Sequence, residues 1–262
     1  MQHFYKRFPR VPKQRILLMP VGDIQWTGAR GSTATEMLKR HIEWGVEQGA
    51  WFIGLGDYLD FASPSNRQRL RSAALYDAAE DTIADKALEL VFDLFETALK
   101  PSVGRWLGLL EGHHFYQLKD GTTTDMRLCE MLKAPFLGSS VSGLLEFPNP
   151  RPNKGPGELW IWVHHGAGSG ETLAAPLSKL DNLAKRWEGY DIFLMGHQSK
   201  KIGGSVDHVM PLRVGGQLHL IHKTRILACT GSFMRGYQEG RKDGLVPRGN
   251  YVEQKMLSPT QL

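Results

Sequence analysis

Side chains that bind transition metals follow five separate apolar segments of this chain. The positions are Asp23, Asp57, the pair His113 and His114, the pair His164 and His165, and His197. Glycine stands directly or nearly before four of them, and it allows the tight turn that points a short side chain into a shared pocket. Carboxylates and imidazoles together suit Mn, Fe, Zn or Ni, whereas calcium prefers a shell of oxygen alone. These residue types therefore favour a site for a divalent transition metal.

The elements that would position these side chains alternate between strands and helices. The apolar segments that predict strands are 16–21, 51–55, 106–110, 159–163 and 191–195. Helical spacing covers 35–48, 64–100 and 176–187, and the segment 205–231 alternates in the manner of antiparallel strands. Ligand sites of α/β sheets lie at the carboxyl ends of strands, so the five positions are expected to meet. The pattern predicts an α/β fold in layers with a mixed sheet.

Each of the five positions has an ordinary structural explanation when it is taken alone. A Gly-Asp pair at the end of a strand is commonly a turn, because Asp bonds its own backbone there. A single buried histidine is commonly a hydrogen-bonded residue of the core. Five such positions in chain order are much harder to attribute to turns, so a shared site is favoured.

One domain is expected over residues 16–235. The segment before it, 1–15, is basic and contains prolines, which predicts an N-terminal arm. The segment after it, 236–262, predicts a basic tail. The helical stretch 64–100 falls between the second and third polar positions, and it is a candidate for a cap that selects the substrate.

Composition excludes several classes of protein. The chain has 262 residues, 41% hydrophobic and 23% charged, which is ordinary for a globular protein and excludes general disorder. Its two cysteines exclude a disulfide scaffold. The sequence contains no run of 18 apolar residues, so no transmembrane helix is expected. A cytoplasmic protein with no membrane partner is expected. The net charge of +5 is compatible with nucleic acid or another phosphate-rich partner, and nothing indicates the oligomeric state.

The order and spacing of the five elements resemble the calcineurin-like metallophosphoesterase superfamily. That family's pattern is Asp-x-His, Gly-Asp-x-x-Asp, Gly-Asn-His-Asp/Glu, a His after a strand, and Gly-His-x-His. The matching segments are Asp23-Ile24-Gln25, Gly56-Asp57-Tyr58-Leu59-Asp60, Gly112-His113-His114-Phe115, Val163-His164-His165-Gly166 and Gly196-His197-Gln198-Ser199. The second segment is the most specific match, and the resemblance covers roughly 16–235. It implies a sandwich of two mixed β-sheets flanked by helices, and hydrolysis of phosphate esters.

The resemblance also implies a set of metal ligands. Asp57 is expected to bridge two ions, with Asp23 on the first ion. The residues expected to complete the second site are His113, His164 and His197. The alternate to His164 is His165, and His164 is favoured because it follows the apolar run directly.

Departures from the family pattern make the two expected metal sites unequal. Gln25 and Ser199 stand where the family has histidines of the first site, and the amide oxygen of Gln25 is a weaker ligand than imidazole. His113 replaces an asparagine and should strengthen the second site. We therefore expect one tightly bound and one weakly bound divalent ion, with Mn favoured over Fe, Zn or Ni.

The catalytic roles implied by the resemblance belong to His114 and Asp60. A metal-activated water would attack phosphorus, and His114 would protonate the departing oxygen. Asp60 would orient His114 or the ligands from outside the metal site. Phe115 stands where the family has an acid beside this histidine.

Basic residues near the motifs are candidates for binding the substrate. They are Arg30, Arg67 in the sequence RQRLR, and Lys200, although a solvated helix face is the more ordinary explanation of the arginine cluster. A phosphodiesterase or nuclease is slightly favoured by the basic charge. A phosphomonoesterase that acts on small molecules or phosphoproteins is one alternative. A non-catalytic binding protein with a degraded first metal site is the other.

Overall fold

Nine strands and four α-helices form the part of the chain that the computed structural model describes. That part comprises residues 2–9, 15–29, 31–61, 77–149, 155–168, 170, 172–198 and 200–235. The strands are β1 Gln2–Arg7, β2 Leu18–Val21, β3 Trp51–Gly54, β4 Trp106–Leu109, β5 Ser140–Phe147, β6 Gly157–His164, β7 Ile192–Met195, β8 Lys201–Val214 and β9 Gln217–Thr230. The helices are α1 Thr35–Glu47, α2 Asp77–Leu94, α3 Thr124–Leu132 and α4 Ala175–Ala184. None of these helices is long and apolar enough to cross a membrane.

The strands form two sheets of different construction. The larger sheet has the order β1-β5-β6-β7-β9-β8 and is mixed, because the β5–β6 and β8–β9 pairs are antiparallel and the other pairs are parallel. The smaller sheet has the order β2-β3-β4 and is parallel throughout. The expected α/β layering is confirmed, but the expectation that both sheets are mixed is wrong. Helix α1 lies in the connection from β2 to β3, and α2 lies in the connection from β3 to β4, so each crossover returns the chain in the same direction.

Three apolar clusters separate the layers. One lies between the two sheets and includes Ile53, Leu107 and Val163. A second covers the other face of the smaller sheet with α1, α2 and α3, and a third packs α4 on the other face of the larger sheet. Strand alternation explains how one strand serves two clusters: Phe52 joins the helices, whereas Ile53 faces the opposite sheet. The molecule is therefore layered helix, sheet, sheet, helix.

The N-terminal segment corrects the expectation of an arm over residues 1–15. Gln2–Arg7 forms β1, an edge strand that pairs in parallel with β5. Phe8 follows it, donates its backbone N–H to the Glu146 carbonyl at 3.0 Å and stacks on Phe147 at 5.2 Å between ring centroids. The basic residues suggested an arm, but Phe4 and Phe8 carry the alternation of a strand. Residues 10–14 lie outside the described residues, as does the predicted tail 236–262.

The segment predicted to form a helical cap is, where it is described, part of the core. Leu90, Val91 and Leu94 of α2 are buried against the smaller sheet. The helix continues through a π-helical turn, Phe95–Leu99, and a short 3-10 turn, Lys100–Ser102, where Pro101 ends it. Residues 64–76 of the predicted cap lie outside the described residues.

Replacing Phe8 with alanine tests whether the N-terminus belongs to the sheet. The Phe8 side chain is 4% exposed, so we expect the free energy of unfolding to fall by about 3–5 kcal/mol. Tyr5→Ala is the matched control, because Tyr5 is on the outer face of the same strand and is 57% exposed. Its expected loss is below about 1 kcal/mol. Equal, small losses for both variants in urea unfolding would contradict the strand assignment.

Candidate metal centre

The carboxyl ends of five strands deliver the polar residues to one edge of the two sheets. The smaller sheet contributes the loops after β2, β3 and β4, and the larger sheet contributes those after β6 and β7. The ligand-type side chains of Asp57, His113, His165 and His197 meet there, with their ligand atoms all within 4.8 Å of one another. The two sheets thus contribute two residues each to one group that is close enough to bind a metal ion.

The spacing inside this group fits a shared ion. Nδ1 of His113 lies 3.1 Å from Nδ1 of His197, and Nε2 of His165 lies 3.4 Å from Oδ2 of Asp57. Two ligand atoms at about 2.0–2.1 Å from one tetrahedral ion are roughly 3.4 Å apart. Three imidazole nitrogens and one carboxylate oxygen form a donor set suited to Zn, Mn, Fe or Ni.

The His165 ring is oriented so that one nitrogen is left for a metal. Its Nδ1 donates to the Leu55 carbonyl at 2.5 Å, which leaves a lone pair on Nε2. Nε2 is buried and makes no well-formed hydrogen bond among the described residues, although Oδ2 of Asp57 lies 3.4 Å away. A buried ring nitrogen and carboxylate at this distance need a cation between them, which is a proton without metal and a metal ion when one binds. This poorly satisfied nitrogen is the observation by which the group fits a metal ion.

The structure places His165, the alternate, in the group and His164 outside it. Side chains alternate along β6: Trp162 and His164 face α4, with their rings 5.5 Å apart, whereas Ile161 and Val163 face the core between the sheets. His165 follows on the face of Val163, where the smaller sheet ends. Continuing the alternation of Ile161 and Val163 by one step would have identified it from the sequence.

Left-handed backbone turns aim the site residues inwards. Asp23, Asp57 and His197 have φ values of 51°, 54° and 60°, and Gln25 has 51°. Such conformations in non-glycine residues cost about 1–3 kcal/mol each and persist only where their surroundings enforce them. Here the backbone N–H groups of Asp23 and Gln25 donate to the carbonyls of Gly56 and Asp57 at 3.0 and 2.9 Å. These bonds join the loops after β2 and β3 beyond the ends of their strands.

The Asp57 carboxylate is held by the loop that follows β4. Its Oδ1 accepts the backbone N–H groups of His113 and, at 3.1 Å, His114. Gly112 permits this approach, because a Cβ at that position would collide with the backbone and side chain of Asp57. Oδ2 is thereby turned towards His165.

Asp57 and His165 also determine the electrostatics of the centre. Burial alone would raise the pKa of Asp57, but its contact with His165 holds that pKa well below its usual range. Burial alone would lower the pKa of His165, and the Asp57 carboxylate instead raises it to about 9. Without a metal the pair is therefore a buried ion pair. A divalent cation would replace the proton, since metal ligation requires neutral imidazole.

A second histidine-carboxylate pair lies beside the ligands. Nδ1 of His114 is 2.8 Å from Oδ1 of Asp60, and this hydrogen bond raises the pKa of His114. Both side chains are partly exposed, in contrast to His165. The structure thus brings together the two residues expected to act in proton transfer, with Asp60 oriented towards His114 rather than towards the metal ligands.

The other predicted site residues have different surroundings. Asp23 is buried near the group, and its Oδ2 accepts the backbone N–H of His197 at 2.7 Å. The backbone N–H of Gln25 donates to the Asp57 carbonyl. That the Gln25 side chain binds metal stays a prediction. The buried ammonium of Lys200 donates to the carbonyls of Gly170 and, at 3.0 Å, Thr172. This structural role corrects the expectation that Lys200 binds substrate. Arg30, Arg67 and Ser199 lie outside the described residues.

Two buried polar side chains beneath the centre were missed in the sequence. The Tyr58 hydroxyl accepts the Gly56 N–H at 3.1 Å and donates to the Leu110 carbonyl at 2.9 Å. Oδ2 of Asp125 accepts the Gly112 N–H at 3.0 Å. Each therefore holds the glycine that precedes a ligand. Burial, assisted by the charge of Asp57, raises the pKa of Asp125 to about 7.

A sequence signal for Asp125 does exist. The buried residues of α3 include Asp125, Leu128, Cys129 and Leu132, which form one helical stripe. An acidic side chain on an apolar stripe needs a buried hydrogen-bond partner. In the sequence, however, Asp125 closely follows Thr123, the N-cap of α3, and acids are common in the first turn of a helix, so its position alone is ordinary.

The chain has no match among known proteins: no family model, no curated protein and no solved structure matches it. The geometry of the centre is therefore the evidence for its function.

Replacing His165 with alanine tests the ligand assignment. We expect Zn or Mn affinity to fall by about 100-fold or more, beyond the loss typical of residues outside the ligand set. His164→Ala is the matched control, and it should leave the affinity nearly unchanged because its ring faces α4. Calorimetric titration of the folded variants measures both. Loss of affinity in the His164 variant alone would overturn the assignment.

Replacing Asp125 tests whether it positions the metal-binding loop. Asp125→Ala removes the acceptor of the Gly112 N–H, so we expect metal affinity to fall by about 10–100-fold. Asp125→Asn keeps a carbonyl oxygen there and should retain most of the affinity. Asp120→Ala, which removes an exposed acid before the same helix, is the control. An asparagine variant as weak as the alanine variant would argue against this role.

Proposed function

We propose that the protein is a metal-dependent hydrolase of phosphate esters. The observation that carries the proposal is the His114–Asp60 pair, which lies directly beside four potential metal ligands without belonging to them. A bound divalent cation supplies charge for phosphoryl oxygens and lowers the pKa of a water molecule. A protein that only binds a metal has no need of the adjoining pair, so the pair supports catalysis over the alternative of a binding protein.

His114 is proposed as the group that protonates the leaving oxygen. Asp60 accepts the proton on Nδ1, so the other ring nitrogen is the one that presents a proton to a bound ester. The raised pKa of His114 keeps more of the ring protonated near neutral pH. Its partial exposure gives a substrate access to it. General-acid catalysis of this kind is worth about 10²–10⁴-fold in rate.

We further propose that the centre binds its metals unequally. The four-residue group supports one tightly held ion, for which Mn, Fe, Zn and Ni are all chemically suitable. Asp23 and Gln25, together with Asp57, form the proposed weaker site. Asp23 is already engaged by the His197 N–H, which supports lower affinity there.

Phosphodiesters, including nucleic acids, are the proposed substrates within this class. Support comes from the net charge of +5 and the basic sequence around Arg67. Phosphomonoesters satisfy the same metal and proton chemistry, so the preference between the two rests on charge.

Replacing His114 with alanine tests the proposed reaction. With Mn present, we expect the wild type to hydrolyse aryl phosphate esters and to lose this activity with chelator. His114→Ala should lower kcat by about 10²–10⁴-fold on an ester with a poor leaving group, and less on one with a good leaving group. Its metal affinity should be unchanged, which separates this variant from loss of a ligand.

Asp60→Asn is the matched control, because it keeps a hydrogen-bond acceptor for His114 but removes the charge. Its rate should fall between those of the wild type and His114→Ala. Full activity of His114→Ala on the poor leaving group would refute the acid role. No turnover of either a monoester or a diester by the metal-loaded wild type would favour the binding protein.

A further inference from the structure

The two longest strands form a ribbon that leaves the body of the protein. Strands β8 and β9, of 14 residues each, pair with one another along their whole length. Among the described strands, only β7 pairs with the ribbon, at the base of β9, Ile226–Cys229. At roughly 3.4 Å per residue the ribbon is about 45 Å long. Its outer half, 209–222, is therefore a two-stranded structure, which is marginally stable in water without further packing.

Apolar side chains occupy both faces of this outer half. Leu218 and Leu220 on one face are 81% and 78% exposed, and Val214 on the other face is also exposed. A sheet that covers a core on one side normally carries polar residues on the other. Exposed apolar surface of this kind marks an interaction site. Pro211 lies in the middle of the edge strand β8 and lacks an N–H, which favours a partner that packs on a face over one that extends the sheet.

The outer half of the ribbon also carries positive charge. Residues 209–222 contain no acidic side chain, and Arg213 lies opposite Leu218, on the face that carries Leu218 and Leu220. A suitable partner surface is therefore both apolar and acidic.

The same chain presents such a surface on α2. Residues 80–96 hold one basic side chain, Lys86, and the following acids: Glu80, Asp81, Asp85, Glu89, Asp93 and Glu96. Leu88 and Phe92 lie one turn apart among these acids, and both are exposed, Phe92 by 58%. The opposite side of α2 is buried on the smaller sheet, so this stripe faces outwards.

We propose that the ribbon of one protomer packs on α2 of a second copy, and that the contact is reciprocal. Leu218 and Leu220 would cover Leu88 and Phe92, and Arg213 on the same face of the ribbon would meet the acids of α2. A reciprocal contact of two complementary surfaces closes a two-fold dimer, the commonest symmetry of soluble oligomers. The dimer does not depend on the proposed enzymatic activity.

Two other kinds of partner would complement the ribbon but not the exposed stripe on α2. An anionic lipid surface or a nucleic acid would complement its charge, but either would leave Leu88 and Phe92 exposed among acids. A nucleic acid also offers little apolar surface for Leu218 and Leu220. A second copy satisfies both exposed surfaces at once.

Charge reversal tests the pairing in the full-length protein. The ribbon variant is Arg213→Glu, on the face of Leu218 and Leu220, and the helix variant is Asp85→Lys with Glu89→Lys; all three positions are exposed. Light scattering should give twice the monomer mass of 29.4 kDa for the wild type and the monomer mass for each variant alone. An equimolar mixture of the two variants should regain the doubled mass, because each reversed surface then meets its reversed partner.

Glu43→Lys with Glu47→Lys on α1 is the matched control, with the same change of charge on another exposed helix face. It should remain dimeric. Leu218→Ser with Leu220→Ser should be monomeric and folded by circular dichroism. A wild type that stays monomeric up to about 100 µM would overturn the proposal, whether or not it binds anionic vesicles or duplex DNA. So would variants that remain monomeric when mixed.

Discussion

The Asp57 carboxylate joins the two sheets at the point where the site is built. One of its oxygens accepts backbone N–H groups from the loop after β4, and the other faces His165 of the larger sheet. The second contact forms only if the carboxyl ends of strands from both sheets meet at one edge. The buried charge of Asp57 needs compensation, by the His165 proton or by a metal ion. Packing of the layers and affinity of the centre are therefore coupled through one side chain.

Glycines and buried hydrogen bonds make that meeting geometrically possible. Gly56 and Gly112 pack so closely that a Cβ on either would collide with the other loop. Tyr58 and Asp125 then bind the N–H groups of these two glycines from below. Left-handed residues such as Asp57 and His197 are retained at a cost because this framework leaves them no alternative. The centre is thus preorganised by residues that supply no ligand atom themselves.

Much of the fold followed from periodicity, and the failures have specific causes. Short apolar runs that end in glycine predicted β2, β3, β4, β6 and β7, because a buried strand needs only its own residues to be recognised. β1 was missed because its charged residues concealed the alternation of Phe4 and Phe8. The preference for His164 gave weight to proximity to the apolar run, whereas strand alternation brings His165 into the four-residue group.

The sequence by itself determined which residue types could bind a metal and where along the chain they follow strands, because these are local properties. The motif resemblance also predicted that Asp60 orients either His114 or the metal ligands. Only the tertiary structure decided which side chains share one site, because sheet order and strand direction bring the ends of β3, β4, β6 and β7 together across long separations. It likewise revealed Asp125 and Tyr58 beneath the loops, because the hydrogen-bond partners of a buried polar side chain are brought to it only by folding.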